Sequence, residues 1–202
     1  MDNQLPTGVD VVVAAQTLGS TIRRTPLDMS LRLSGIRNQD ILLKREDIQV
    51  GRSYKARGAY NFISSLSAEE REAGVVCASA GNHAQGVAFA CRQLKIHAKV
   101  FLPSTTPRQK RARIADIGGR WIEQVIVGAT FDEASAAAQE YAHEHGATYV
   151  HPFDDPRTIA GQGTVVKEIF EQASAPPAAV VVPVGGGGLV AGTAIWLHTV
   201  HP

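Results

Sequence analysis

The sequence predicts an α/β fold built on a parallel sheet, and three observations lead to it. From residue 74 onward, short β-branched runs alternate with helical segments, as they must when each strand is followed by a crossover helix. At "VVCASAGNHAQGVAF" and again at "VVVPVGGGGLVAGTAIW", an apolar strand runs through small residues straight into a helix. The 202 residues are 44% hydrophobic and 19% charged, an ordinary balance for a soluble globular chain able to bury a core.

Taken in order, "DILLK" reads as a strand in the first fifty residues and leads into the polar run Lys44-Arg45-Glu46-Asp47. "GVVCAS" is the next strand and "HAQGVAFACRQL" the helix after it; "AKVFLP" is a strand again. Thr106 as N-cap with Pro107 at the first helical position starts a helix that stops at Gly118-Gly119. "RWIEQVIV" is a strand. Thr130 and Glu133 have the spacing of a capping box, in which each satisfies an exposed backbone N–H, and that helix runs to Gly146. "ATYVH" closes a four-stranded unit over residues 55–150. Residues 1–54 lie before it, and residues 151–202 supply a helix around "TIAGQGTVVKEIFEQ", the turn "SAPPAA" and a strand "AAVVVPV" that begins a second sheet. The stop at His201-Pro202, with few elements to cover that sheet, implies part of something larger.

Composition narrows the function. Twenty Lys+Arg against 19 Asp+Glu leave a net charge of +1, so no global field draws the chain to nucleic acid or an anionic membrane. The basic run Arg108, Lys110, Arg111 and Arg113 lacks aromatic partners for base stacking and reads as a solvated helix face. Cys77 and Cys91 have no Cys-x-x-Cys spacing and read as buried free thiols, suited to a reducing cytoplasm. His143 and His145 lack the spacing of a zinc site, so no metal is expected. Asp2 and Asp10 sit where a leader peptide would carry basic residues, and no run of about eighteen apolar residues occurs.

Two loops and one lysine carry the chemistry. Four consecutive glycines, Gly185 to Gly188, ordinarily mark a linker, but linkers are flanked by polar residues and this run lies between Val-Val-Val-Pro-Val and Leu-Val-Ala-Gly. Glycines before a helix let an anion approach backbone N–H groups at the positive end of the helix dipole. No Gly-Lys-Ser/Thr follows, which excludes a Walker A loop, and Gly186-x-Gly188-x-x-Ala191 matches the dinucleotide fingerprint only formally. "SAGNH", Ser79 to His83, is a second cradle; Cys77 stands where a nucleophile elbow needs glycine, against a serine hydrolase. Lys55, between Ser53-Tyr54 and Arg57-Gly58, would ordinarily be a solvated cation. One lysine, one phosphate-type cradle and one carboxylate-type cradle are together what a pyridoxal phosphate enzyme acting on an amino acid needs.

The segments "LKREDIQVGRSYKARGAYN", "SAGNHAQG", "TIAGQGT" and "PVGGGGL" resemble, in this order and at these spacings, those of the threonine dehydratase family among the fold-type II pyridoxal phosphate enzymes. The resemblance spans approximately residues 20–198. It implies a complete small α/β domain, residues 55–150, and an incomplete large domain, residues 1–54 and 151–202. It implies that Lys55 carries the cofactor as a Schiff base, that Asn82 bonds the ring hydroxyl, and that Gly185, Gly186, Gly187, Gly188 and Leu189 surround the phosphate. Ser79, Ala80, Gly81, Asn82 and His83 would line the substrate carboxylate pocket. The implied activity is elimination from L-threonine to 2-oxobutanoate and ammonia, as in isoleucine biosynthesis or threonine catabolism, with Lys55 as catalytic base, in a cytoplasmic homo-oligomer. Serine dehydration or racemisation, and a catalytically silent fragment, remain the alternatives.

Overall fold

A computed structural model describes residues 5–200; Asp2 and the terminal His201-Pro202 lie outside the described residues. The first segment is a helix, α1 (Gly8–Leu18), whose N-cap Thr7 and Asp10 cap each other's backbone N–H. It is followed by an antiparallel pair, β1 (Leu27–Met29) and β2 (Leu42–Lys44), joined through α2 (Leu31–Arg37). After two short 3-10 turns, α3 (Lys55–Ser64) and α4 (Ala68–Ala73) lead into the parallel sheet.

That sheet contains β3 (Val75–Ala78), β4 (Ala98–Leu102), β5 (Ile122–Ile126) and β6 (Thr148–Tyr149), in the order β5-β4-β3-β6, all parallel. The crossovers are α5 (Asn82–Leu94), α6 (Arg108–Gly118) and α7 (Phe131–His145). Both faces of β3 are covered, and alternate side chains divide between them. Val75 and Cys77 enter the larger core with Phe62, Ile63, Val87, Cys91, Val100 and Ile114, whereas Val76 and Ala78 pack with Phe101, Ala134 and Ala138 of α7. A parallel strand buried on both sides needs the continuous apolar run that "VVCA" supplies. Cys77 and Cys91 are buried and free, and burial pushes the Cys77 thiol up to about 12.

The chain moves outward from β3 to β4 and β5, then returns to add β6 on the other side of β3. The carboxyl ends of β3 and β6 therefore flank a topological switch point, where the loops of an open parallel sheet diverge and leave a crevice. Those loops are residues 79–81 and 150–155.

Outside the sheet, α8 (Pro156–Gln172) and α9 (Gly188–Val200) pack on α3 and α1. Glycines set these approaches. A Cβ on Gly161 would lie 2.7 Å from Gly58 Cα, and one on Gly192 would lie 2.6 Å from Gly163 N, so α8 meets α3 and α9 backbone against backbone. This is what "TIAGQGT" does in the fold.

A buried ion cluster ties the same elements together. Arg57, 0% exposed, donates from Nε and Nη2 to Glu46 (2.9 and 2.7 Å) and from Nη1 and Nη2 to Glu168 (2.6 and 3.0 Å). Lys44 Nζ reaches Glu168 at 2.6 Å and Gln172 at 2.7 Å. Burial works against Arg57's charge, but the two carboxylates outweigh it and hold the guanidinium protonated. Burial likewise opposes the Glu168 carboxylate, yet Arg57 and Lys44 hold its pKa below the ordinary value.

Two expected features differ. Helix α6 begins at Arg108, with Pro107 rather than Thr106 as N-cap. Thr106 is consumed by a preceding turn, its N–H bonding Pro103 O at 2.9 Å, and its buried hydroxyl caps nothing. The run "AAVVVPV", residues 178–184, is irregular rather than a strand, with Val181 95% exposed. Apolar patterning makes a strand only where a second backbone lies alongside to complete its hydrogen bonds, and no strand pairs with it among the described residues.

Candidate active site

The switch point is where the chemistry-bearing residues meet. Lys55 is the first residue of α3, whose opening turn lies against α5: a Cβ on Gly86 would stand 2.9 Å from Lys55 O. The side chain is half-buried, passes the Tyr54 ring at 5.5 Å, and its Nζ donates to Pro152 O at 2.6 Å in the loop after β6. Burial lowers the Lys55 ammonium below the ordinary lysine value.

Ser79, Ala80 and Gly81, all partly buried, form the loop between β3 and α5. Ser79 Oγ accepts the Gly81 N–H at 3.2 Å. No side chain caps α5, so its first-turn N–H groups remain available to an anion. Asn82 is exposed on that turn. His83 beside it is buried; its Nε2 pairs with Val150 O at 2.8 Å and its Nδ1 has no partner. Burial, aided by the positive charge of Lys55, pushes His83 down to about 4, so the imidazole is neutral at physiological pH.

In the second cradle, Gly185 and Gly186 are exposed, Gly187 is partly so, and Gly188 and Leu189 are buried at the start of α9. The glycines divide by direction. A Cβ on Gly185 or Gly187 would meet nothing within 4 Å, and Gly187 has φ +90°, which disfavours any side chain. A Cβ on Gly186 would overlap the Phe153 ring, and one on Gly188 would lie 2.8 Å from Phe153 O. One side of the loop is thus open for a ligand and the other is filled by Phe153.

The sequence marks Val150 and His151 only as the end of the strand "ATYVH", which in the structure stops at Tyr149, and marks nothing at Pro152 or Phe153, yet this segment touches His83, Lys55 and the tetraglycine loop. Val150 O holds His83, Pro152 O holds Lys55 Nζ, and Phe153 sits on the tetraglycine loop. His151 Nδ1 accepts the N–H groups of Asp154 (2.7 Å) and Phe153 (3.4 Å), folding the turn onto its own ring. The only available hint was position, since this loop follows β6 at the switch point. Clefts of about 340 and 580 Å³ lie elsewhere, lined by residues such as His97 and Lys99 or Arg23 and Arg113; neither includes Lys55 or a glycine of the loop.

The residues present fit pyridoxal phosphate. A half-buried amine with a lowered pKa, an open glycine cradle before a 13-residue helix and an uncapped helix start on one crevice match an aldehyde, a phosphate and an amino acid carboxylate. Among the described residues no cluster of three or more His, Cys, Asp or Glu could hold a metal, and no helix is long and apolar enough to cross a membrane.

Residues 18–202 match the family described as pyridoxal-phosphate dependent enzyme. The chain is 53% identical over 190 residues to the biosynthetic L-threonine dehydratase IlvA of Mycobacterium tuberculosis, covering 94% of this chain and 44% of that protein. It is 46% identical over 201 residues to that of Bacillus subtilis, covering 100% and 48%. The chain thus spans less than half the length of these curated relatives. Among solved structures, the processed form of threonine deaminase isoform 2 from Solanum lycopersicum superposes with a TM-score of 0.88 at 43% identity, covering 96% of this chain and 55% of that one. Maize serine racemase superposes with a TM-score of 0.92 at 30% identity, covering 98% and 59%. With a family match over residues 18–202, nearly its whole length, this chain belongs to the pyridoxal-phosphate dependent enzymes.

Proposed function

We propose that the protein containing these residues is a threonine ammonia-lyase, converting L-threonine to 2-oxobutanoate and ammonia. The observation that most supports this is the convergence of Lys55, the tetraglycine loop and the uncapped start of α5 on one short segment, in a chain 53% identical to a biosynthetic threonine dehydratase. In this reading residues 55–150 are the small domain, and residues 1–54 and 151–202 belong to the large one. The complete protein works in the cytoplasm as a homo-oligomer.

Lys55 would hold the cofactor aldehyde, Asn82 its ring hydroxyl, and Gly185 to Leu189 its phosphate. When bound, the cofactor supplies a conjugated ring that accepts the electron pair left when the substrate Cα loses its proton. The protein's own residues do the rest. Backbone N–H groups of α5, with Ser79, Ala80, Gly81 and Asn82, receive the substrate carboxylate, and the dipole of a 13-residue helix favours that negative charge. Neutral His83 adds no charge that would bind the carboxylate elsewhere. Lys55, once its amine is free, takes the α-proton, a step that needs the neutral amine and is therefore helped by burial. The resulting ammonium can return that proton to the departing β-hydroxyl, which leaves as water. Hydrolysis of the released enamine consumes one water and yields the 2-oxo acid and ammonia.

The test is keto acid release from L-threonine by the full-length protein and by Lys55→Ala. Activity and the visible absorbance of the lysine-bound cofactor should both vanish in the variant; their persistence would exclude this lysine. The likeness to maize serine racemase supports a second reading, in which serine is dehydrated or racemised. Assays on L-serine with chiral analysis of the remaining amino acid separate the two.

A further inference from the structure

We propose that His151-Pro152-Phe153 is a positioning strap that couples the seat of the tetraglycine loop to the resting place of Lys55, with the Phe153 ring as its anchor. The inference rests on the reading above that Gly185 to Leu189 cradles the cofactor phosphate, and adds a residue to that site.

The geometry is a chain of adjoining contacts. The Phe153 ring fills the space a side chain at Gly186 would need, and Phe153 O lies 2.8 Å from where a Cβ on Gly188 would stand. The carbonyl of its neighbour Pro152 shares a peptide with the Phe153 N–H, which donates to His151 Nδ1, and this oxygen accepts Lys55 Nζ at 2.6 Å. His151 rigidifies the link, because its Nδ1 takes two backbone N–H groups of the same turn and its ring meets Phe153 edge-on at 4.7 Å. Thr158 Oγ1 at the start of α8 ties His151 O at 3.3 Å. A shift of the ring therefore moves the carbonyl, and with it the amine.

Two glycines of the loop acquire a reason that phosphate binding alone does not give. Gly185 and Gly187 face open space and suit a ligand, whereas Gly186 and Gly188 are glycine because Phe153 occupies the other side. The carbonyl also matters chemically. A carbonyl oxygen favours the ammonium form of its donor, opposing burial, so releasing it frees the neutral amine. The groups near Lys55 are the Tyr54 ring, which stands under its Nζ, and His83 and His151, both kept neutral by burial; Asp154 and Asp155 act on His151 in the opposite sense.

The test is a double-mutant cycle in the full-length protein, using Gly186→Ala, Phe153→Ala and both together. Pyridoxal phosphate is titrated into each apo-protein and followed by visible absorbance. Gly186→Ala should weaken binding by about tenfold or more, the size of one overpacking clash. Adding Phe153→Ala should restore much of that loss, because the ring no longer opposes the new methyl. A double variant as weak as Gly186→Ala, or weaker, overturns the proposal. The second readout is the pH dependence of reductive methylation of Lys55 in the apo-protein, by mass spectrometry, with exposed Lys110 as internal reference. Phe153→Ala should raise the Lys55 rate near neutral pH and leave Lys110 unchanged; an unchanged Lys55 profile overturns the coupling. If Phe153→Ala fails to fold, Phe153→Leu carries the same comparisons. Failure of the unsubstituted protein to bind the cofactor would sink the site reading itself, whereas binding without rescue sinks only the strap. Neither readout depends on threonine turnover.

Discussion

His83 is a histidine that the fold keeps uncharged, with a consequence for pH. Its imidazole is buried, and its pKa is depressed from 6.5 to about 4. Between those values the unfolded chain binds a proton that the folded chain refuses, so stability is full above about pH 6.5 and declines toward pH 4, by up to about 3 kcal/mol. Glu168 adds a second acid-side loss. Its carboxylate is held below the ordinary 4.5, so its contribution is present above that pH and disappears as pH falls through the lowered value. Urea unfolding at several pH values checks both: His83→Asn should flatten the decline that starts near neutrality while leaving the steeper loss at lower pH. Before the fold was known, His83 could be assigned only to a carboxylate pocket by resemblance. Its burial, and its bond to Val150 O, belong to a contact 67 residues away along the chain.

Among the elements, the helices separate glycines that permit contact from one that merely weakens a turn. Gly161→Ala and Gly192→Ala each push a methyl into backbone, at 2.7 Å from Gly58 Cα and 2.5 Å from Ile159 O, so each should destabilise by about 1–3 kcal/mol or more. Gly35 in α2 has nothing within 4 Å, and Gly35→Ala should instead stabilise by about 0.5–1 kcal/mol through helix propensity. Thermal unfolding of the three variants decides, and equal effects at Gly35 and Gly161 would refute the packing account. Local signals located these elements well. The capping box at Thr130 and Glu133 and the left-handed stop at Gly146 (φ +66°) stand where the residue types require. The helix start at Thr106-Pro107 differs because a competing local turn, closed on Pro103 O, takes Thr106, and the strand expected at residues 178–184 because it depended on an adjacent backbone that is not present among the described residues.

At the scale of the whole molecule, Arg57 joins the N-terminal segment, α3 and α8 through Glu46 and Glu168. Arg57→Met removes the central cation and leaves the partly buried carboxylates of Glu46 and Glu168 with Thr25 Oγ1 and Lys44 as their remaining partners. The expected cost is about 3–5 kcal/mol, the range for breaking one side of a buried ion pair. Replacing Arg57, Glu46, Glu168 and Lys44 together by apolar residues should cost much less, and denaturant unfolding compares the two. The candidate site residues stood out in the sequence because residues 79–83 and 185–189 are each small residues between an apolar run and a helix, and because four segments, two of them containing these, occur in the order of a known family. Their meeting point did not. Lys55 and Pro152 are 97 residues apart, and only the reversal of strand order at β3, with β6 added on its far side, brings the loops after those strands into one crevice. The amino-acid sequence alone determined the α/β class and marked two glycine-rich helix starts and Lys55 as candidates, since these depend on periodicity, capping and backbone freedom over a few residues. The tertiary structure decided that the loop after β6 contacts His83, Lys55 and the tetraglycine turn together, that Phe153 fills one side of that turn, and that Arg57 is a buried clamp, because long-range contacts leave no periodic or compositional trace along the chain.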